Sequence, residues 1–371
     1  MKFLLISRGA EFNKQTTVSL SLLYKSAKIE PLMTAEPELK KRKMSTKILQ
    51  ICTHSGTFHA DETLAVFMLK LLGRFSNAKV VRSRKPADWE ASDIVVDVSG
   101  KYDGKKFFDH HQREFTGTFN DQYKTKLSSA GLVFKHFGKE IICSVLGFST
   151  EKNTKDIDFV YDRVYKDFVE AIDANDNGIN KYANQNDLIP RFHDRNFSLA
   201  GTVANLNPSW DSDPTDADFD AQFKVASQLM GNAFMQFLNY IGKSFLPAKQ
   251  YVQKAFDERF SVDKSGKIIL MNQYVPWKEH IYNIEKSNNV EGQILYVLFP
   301  DSNNNWRITA VPVSASSFDS RKKLPAEWRG LRDQALSDKT GIPNCVFIHA
   351  AGFTGGVESK EGALKLAKLS L

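Results

Sequence analysis

Cysteine is scarce in this chain. Its 371 residues hold three, Cys52, Cys143 and Cys345, far apart and without a CxxC pair. That excludes a disulfide framework and a zinc–thiolate centre, and reads as buried thiols in a reducing compartment. Long apolar runs are missing as well. The longest windows, such as Leu64 to Leu72, are broken by Lys70 and fall short of the roughly 18 residues a membrane helix needs. Charge of one sign is missing over most of the chain. The net charge is +7, but residues 1–44 carry nine Lys or Arg against four Asp or Glu, so the other 327 residues contribute only +2. The body carries no broad electrostatic footprint for a nucleic acid. What is present, 42% hydrophobic and 25% charged residues, suits a globular protein with length enough for two domains.

Residues 1–44 form an extension unlike the rest. The stretch up to Met33 is rich in Ser, Thr, Leu and Lys, with only Glu11 and Glu30 as acids, a composition that suits mitochondrial targeting. Lys40, Lys41, Arg42 and Lys43 form a basic cluster of the kind read by nuclear import or left as a solvated charge run. Met33 and Met44 offer later starts. The extension is set aside from the fold.

Hydrophobic periodicity predicts an α/β body. Lys47–Thr53 reads as a buried strand, 54–62 as a polar loop, and 63–72 as a helix with apolar residues at helical spacing. Two further strands follow at 78–82 and 93–98, the latter (DIVVDV) apolar enough to be buried on both faces. Helices are predicted over 128–137, capped by Ser128 or Ser129, over 161–174 with Gly178 as terminator, and along the stripe from Phe219 to Ile241. A catalytic domain is placed at 45–250, a linker at 251–261, and a smaller α+β domain at 262–371, with strands at 267–271, 293–299, 306–313 and 345–349 and helices at 329–336 and 358–371.

Histidines and aspartates gather where these elements end. His54, His59 and Asp61 follow the first strand, Asp97 ends the third, Asp109, His110 and His111 stand in FFDHHQ, and Asp173 ends a helix. Open α/β sheets bind ligands at the carboxyl ends of their strands. Imidazole and carboxylate without thiolate favour Mn²⁺, Mg²⁺ or Fe over structural zinc. A pair of such ions polarises a phosphoryl group, and Asp97, central in the sheet, is the candidate bridge. Each segment alone has a bland explanation; the order and spacing together are specific.

The sequence resembles the melanocyte proliferating gene family, a branch of the DHH phosphoesterase superfamily. The resemblance rests on THSGTFHADE (53–62), DIVVDVSGKYD (93–103), FFDHHQREF (107–115), AIDANDNGI (171–179), ANLNPSW (204–210), WRGLRDQAL (328–336) and GIPNCVFIHAAGFTGG (341–356), and covers residues 50–371. It implies a DHH-type domain with a mainly parallel sheet flanked by helices, and a smaller C-terminal α+β domain across a cleft. It implies two divalent ions, Mn²⁺ or Mg²⁺, and 3′-to-5′ exonuclease action on RNA or single-stranded nucleic acid in mitochondria and nucleus, with no membrane. His54, His59 and Asp97 would hold one ion; Asp61, Asp97, His110 and Asp173 the other. His111 would meet the scissile phosphate and Asp109 would orient the histidine pair. His59 stands where the superfamily usually has an Asp, which removes a negative charge.

The C-terminal domain is expected to bind substrate. HAAGFTGG (349–356) reads either as a tight turn needing glycine at positive φ or as a glycine-rich loop between a strand and the last helix, with His349, Gly352, Gly355, Gly356 and Arg329 as candidates for holding a phosphate or ribose. Trp328 or Phe353 would stack on a base. Arg82, Arg84 and Lys85, or Arg321, Lys322 and Lys323, would supply a basic stripe if they face the cleft. The near-neutral body also leaves open a phosphohydrolase acting on pyrophosphate or short oligonucleotides, and a scaffold without catalysis.

Overall fold

The computed structural model describes residues 47–182 and 194–371. The expected targeting extension and its basic cluster lie outside the described residues. The chain enters through β1 (Gln50–Thr53), α1 (Ala60–Lys70), β2 (Lys79–Arg82), α2 (Pro86–Ala91), β3 (Ile94–Val96) and β4 (Phe107–Phe108). The four strands form one parallel sheet in the order β2-β1-β3-β4. Ile51, Cys52, Ile94, Val95 and Val96 are all buried, as consecutive apolar residues must be in a sheet covered on both faces.

Helices supply the cover. α3 (Ser129–Leu146) is followed by α4 (Thr154–Val164), a π-helical turn at Tyr165–Val169, and α5 (Glu170–Asp176). α6 (Leu199–Ala204) leads to α7 (Asp216–Asn239), which runs through a second π-helical turn into α8 (Leu246–Asp257) and then α9 (Arg259–Val262). The stripe foreseen on α7 is largely core: Phe223, Met230, Phe234, Leu238 and Ile241 are buried with α1, α3 and α4. Residues 251–261, expected to connect the two domains, are mostly helical.

The second sheet holds β5 (Ile268–Leu270), β6 (Tyr296–Pro300), β7 (Trp306–Ala310), β8 (Cys345–Ile348) and β9 (Thr354–Val357), in the order β5-β6-β7-β9-β8. Only β5 and β6 pair in parallel; the other ladders are antiparallel. α10 (Lys278–Ser287) and α8 cover one face, while α11 (Asp333–Thr340) and α12 (Lys360–Leu369) pack on the other. Arg163 of α4 binds both carboxylate oxygens of Glu279 in α10, tying the helical layer to the second sheet.

Two expectations change here. The helix expected from Arg329 begins at Asp333. The glycine-rich stretch is not a loop leading into a helix: Gly355 and Gly356 lie inside β9, the return strand of a hairpin with β8. A Cβ at Gly355 would stand 2.3 Å from Ile348 Cδ1, so this glycine serves close strand packing and offers no free backbone cradle to an anion.

Candidate metal centre

Parallel strands end on one edge, and that edge collects the chemistry. β1 hands over His54, β3 hands over Asp97, and β4 hands over Asp109, His110 and His111. α1 starts three residues earlier than expected, at Ala60, so Asp61 and Glu62 fall in its first turn, where the helix dipole favours carboxylates. Asp97 has φ 58°, a left-handed conformation that a short polar side chain tolerates.

The two oxygens of Asp97 face different halves of the cluster. Oδ2 lies 3.5 Å from His54 Nε2. Oδ1 lies 3.5 Å from His110 Nε2 and from His111 Nδ1, and accepts Ser129 Oγ–H at 3.0 Å. On the first side, His54 Nε2 is 3.1 Å from Glu62 Oε1, which also accepts the His59 N–H at 2.8 Å. His54, His59 and Glu62 bring ligand atoms within 4.8 Å of one another. On the second side, Asp61, His110 and Asp176 do the same, with His110 Nε2 2.9 Å from Asp176 Oδ2.

The electrostatics call for a cation. Asp61 is buried, and both its oxygens lack a hydrogen-bond partner among the described residues, as do Glu62 Oε2 and His110 Nε2. His110 and Asp176 are therefore close without being aligned as donor and acceptor. Burial, together with the charges of Asp97, Asp176 and Glu62, pushes the Asp61 carboxyl well above the usual range. Burial works against charged imidazoles, but Asp97 and Glu62 outweigh it at His54 and raise it to about 9. Asp176 and Asp97 raise His110 to about 10 in the same way. Burial opposes ionisation of Asp97, yet His110 and His54 hold it well below the carboxylate range. An unpartnered buried polar group costs roughly 1–3 kcal/mol, more when charged. A divalent ion would satisfy these oxygens and nitrogens together, since carboxylate oxygens and imidazole nitrogens are both metal donors.

The structure places Asp173 apart from this cluster. It is buried, with Oδ1 accepting the Ser128 N–H, the Ser128 hydroxyl and the Gly131 N–H at 2.8–3.0 Å, and Oδ2 accepting the Tyr165 hydroxyl at 3.0 Å. Its oxygens are spent on the start of α3 and on Tyr165. Asp176, one turn later, is the carboxylate that reaches His110. Asp176 and Glu62 were missed in the sequence. A helix read through to Gly178 would have put Asp173 and Asp176 one turn apart and raised both as candidates.

A cavity of about 460 Å³ opens over the cluster, lined by His54, His59, Asp61, Asp97, Asp109, His111 and Asp176, with Arg84 as its one Arg or Lys among the described residues. Asp109 is buried; its Oδ1 accepts His111 Nδ1–H at 2.7 Å and its Oδ2 accepts the Gly100 N–H at 2.6 Å. This fixes the ring of His111 and leaves Nε2 for a ligand. Arg84 donates from Nε to Ser55 O at 3.2 Å. The other foreseen arginines are spent internally: Arg82 on Asp220 and Gly56 O, Arg321 on both oxygens of Glu285.

None of His349, Gly352, Gly355, Gly356 or Arg329 lines this cavity. Arg329 Nε donates to Leu324 O, and a Cβ at Gly352 (φ 72°) would fall 2.6 Å from that Nε. His349 Nδ1 accepts the Ala351 N–H. Trp328 is buried in the core, and Phe353 is partly exposed beside His349.

Comparison with known proteins decides the family. The model described as MYG1_exonuc, Uncharacterised protein family (UPF0160), matches residues 50–371. The chain belongs to this family. The MYG1 protein YER156C of Saccharomyces cerevisiae is 55% identical over 336 residues, 90% of this chain and 99% of that one. MYG1 exonuclease of Homo sapiens is 44% identical, over 87% of this chain and 85% of that one. Among solved structures, RecJ in complex with Mn²⁺ from Thermus thermophilus aligns over 86% of this chain and 52% of that chain at 12% identity, with a TM-score of 0.23, a likeness too slight to carry fold or function. For this MYG1 family member no helix among the described residues is long and apolar enough to cross a membrane.

Proposed function

We propose that the protein is a metal-dependent phosphodiester hydrolase, and that its substrate is RNA shortened from the 3′ end. The observation that carries the chemistry is the buried Asp61 carboxyl group, without a hydrogen-bond partner among the described residues, between Asp97, His110 and Asp176. The exonuclease name of mammalian relatives supports the reaction type, and the resemblance of the motifs to the melanocyte proliferating gene family supports the direction.

Two ions are assigned, one to His54, His59, Glu62 and Asp97, the other to Asp61, Asp97, His110 and Asp176, with Asp97 common to both. When bound, they would supply Lewis-acid polarisation of the phosphoryl group and offset the charge that builds on it. The chain's own groups do the rest. Asp109 accepts His111 Nδ1–H and favours the protonated ring, and it is this charged His111 that presents Nε2–H to a phosphate oxygen. Arg84 stands on the cavity wall as the group that meets an incoming anion.

A second reading, hydrolysis of pyrophosphate or short oligonucleotides, is favoured by the +2 charge of residues 45–371. One panel separates the two. The full chain, stripped of metal and resupplied with Mn²⁺ or Mg²⁺, is offered end-labelled RNA, single-stranded DNA, dinucleotides and pyrophosphate. Stepwise loss from the RNA 3′ end is expected; cleavage of only the small substrates selects the second reading. Action in mitochondria and nucleus is part of the proposal, resting on residues 1–44, and a fusion lacking them should lose the mitochondrial signal.

A further inference from the structure

One face of the second sheet is only partly covered. Ile269, Val297 and Phe299 pack beneath α8 and α10 in a common core. Arg307 and Thr309 pair with Phe299 and Val297 across an antiparallel ladder and so share their face. Further along this face, Arg307, Thr309, Phe347 and Thr354 are only partly buried, and Phe347 belongs to none of the hydrophobic cores among the described residues.

The register lines up five residues in one row across the strands. Phe299 pairs with Arg307, Arg307 with Gly356, Gly356 with Phe347, and Phe347 with Arg332. Gly356 makes the row possible: a Cβ there would stand 3.1 Å from Phe347 Cε1 and 3.4 Å from Arg307 Nη1. Without one, the Arg307 guanidinium lies over the Phe347 ring at 4.9 Å, and that of Arg332 lies 5.7 Å from the same ring. Arg307 Nε is fixed by Asp301 at 2.9 Å. Arg332 is exposed and forms no ion pair among the described residues. At the other end of the row a cavity of about 540 Å³ is lined by Arg307, its partner Asp301, Phe299 and Tyr274, a residue 63% exposed whose ring is 5.2 Å from that of Phe299.

Aromatic rings alternating with guanidinium groups along one row of the sheet match one ligand chemistry. Bases present π-faces to the rings and phosphates present charge to the arginines, without need of sequence. We propose that this row grips the uncut part of a single-stranded nucleic acid, with bases on Phe347 and Tyr274 and phosphates at Arg332 and Arg307. The inference rests on the nuclease reading and deepens it. It also accounts for a near-neutral body that handles a polyanion: the needed charge is local.

The test uses the full chain in EDTA, so that nothing is cleaved, and a labelled single strand of about twelve nucleotides. Arg332→Ala and Phe347→Ala should each weaken binding by about fivefold to tenfold. Arg332→Ala should also flatten the dependence of log affinity on log salt by about 0.7, and Arg332→Lys should restore it. Wild-type affinity and salt slope in Arg332→Ala would overturn the proposal while leaving the nuclease reading intact. A wild-type chain that neither binds nor cleaves any nucleic acid would remove both. Binding of polyglutamate in place of the oligonucleotide, lost in Arg332→Ala, would reassign the row to an acidic protein and overturn it.

Discussion

Asp176 Oδ2 lies 2.9 Å from His110 Nε2 while Asp173, one turn back on the same helix, turns its oxygens to the start of α3. Two carboxylates that look interchangeable in AIDANDNG thus do different work. Asp176→Asn should weaken Mn²⁺ binding and cut turnover about tenfold to a hundredfold and leave the melting temperature of the metal-free chain near wild type. Asp173→Ala should do the reverse at first, costing roughly 3 kcal/mol of stability through donors left unpaired. Calorimetric metal titration and thermal melts distinguish them; a stable Asp173→Ala chain that binds no metal would reverse the assignment.

Gly131 reports on the same packing. A Cβ there would stand 2.2 Å from Asp173 Oδ2, in a carboxylate pinned by four hydrogen bonds. Gly131→Ala should destabilise the fold by about 1–3 kcal/mol, despite the better helix propensity of alanine. A melting temperature at or above wild type would show that Asp173 is free to move.

The α/β core was legible in the sequence because buried parallel strands are continuous apolar runs: KILQICT and DIVVDV contain β1 and β3. The edge that gathers His54, Asp97 and the Asp109–His111 triplet followed from where those runs end. Asp173 was misplaced for a physical reason. Its helix does not stop at Ala174 but runs to Asp176, through a π-helical turn at Tyr165–Val169 that shifts the faces presented by the residues after it. Periodicity at 3.6 residues cannot register such a turn. HAAGFTGG misled differently, since glycines needed for close strand packing read the same as glycines needed for a loop.

The protonation of the site gives a pH signature. His54 and His110 are raised from their usual 6.5 to about 9 and about 10 by their carboxylates. A raised folded-state pKa contributes stability that is complete below about 6.5 and lost as pH rises through the folded value. The metal-free chain should therefore lose melting temperature between about pH 7 and about pH 9.5. Metal binding needs the deprotonated rings, so a saturating divalent ion should remove that loss, and its binding should release protons. Melts across this range with and without Mg²⁺ check the sign; a metal-free chain that gains stability with rising pH would contradict the ion pairs.

Asp97 carries the central claim. Its oxygens face both halves of the cluster and its backbone is left-handed, which asparagine also tolerates. The most direct measurement is Mn²⁺ titration of the metal-stripped full chain and of Asp97→Asn, each followed by hydrolysis of end-labelled RNA. The account predicts tight binding and 3′-end shortening in the wild type, with both lost in a variant that still melts cooperatively. A folded Asp97→Asn chain that binds Mn²⁺ and hydrolyses RNA like the wild type would contradict it.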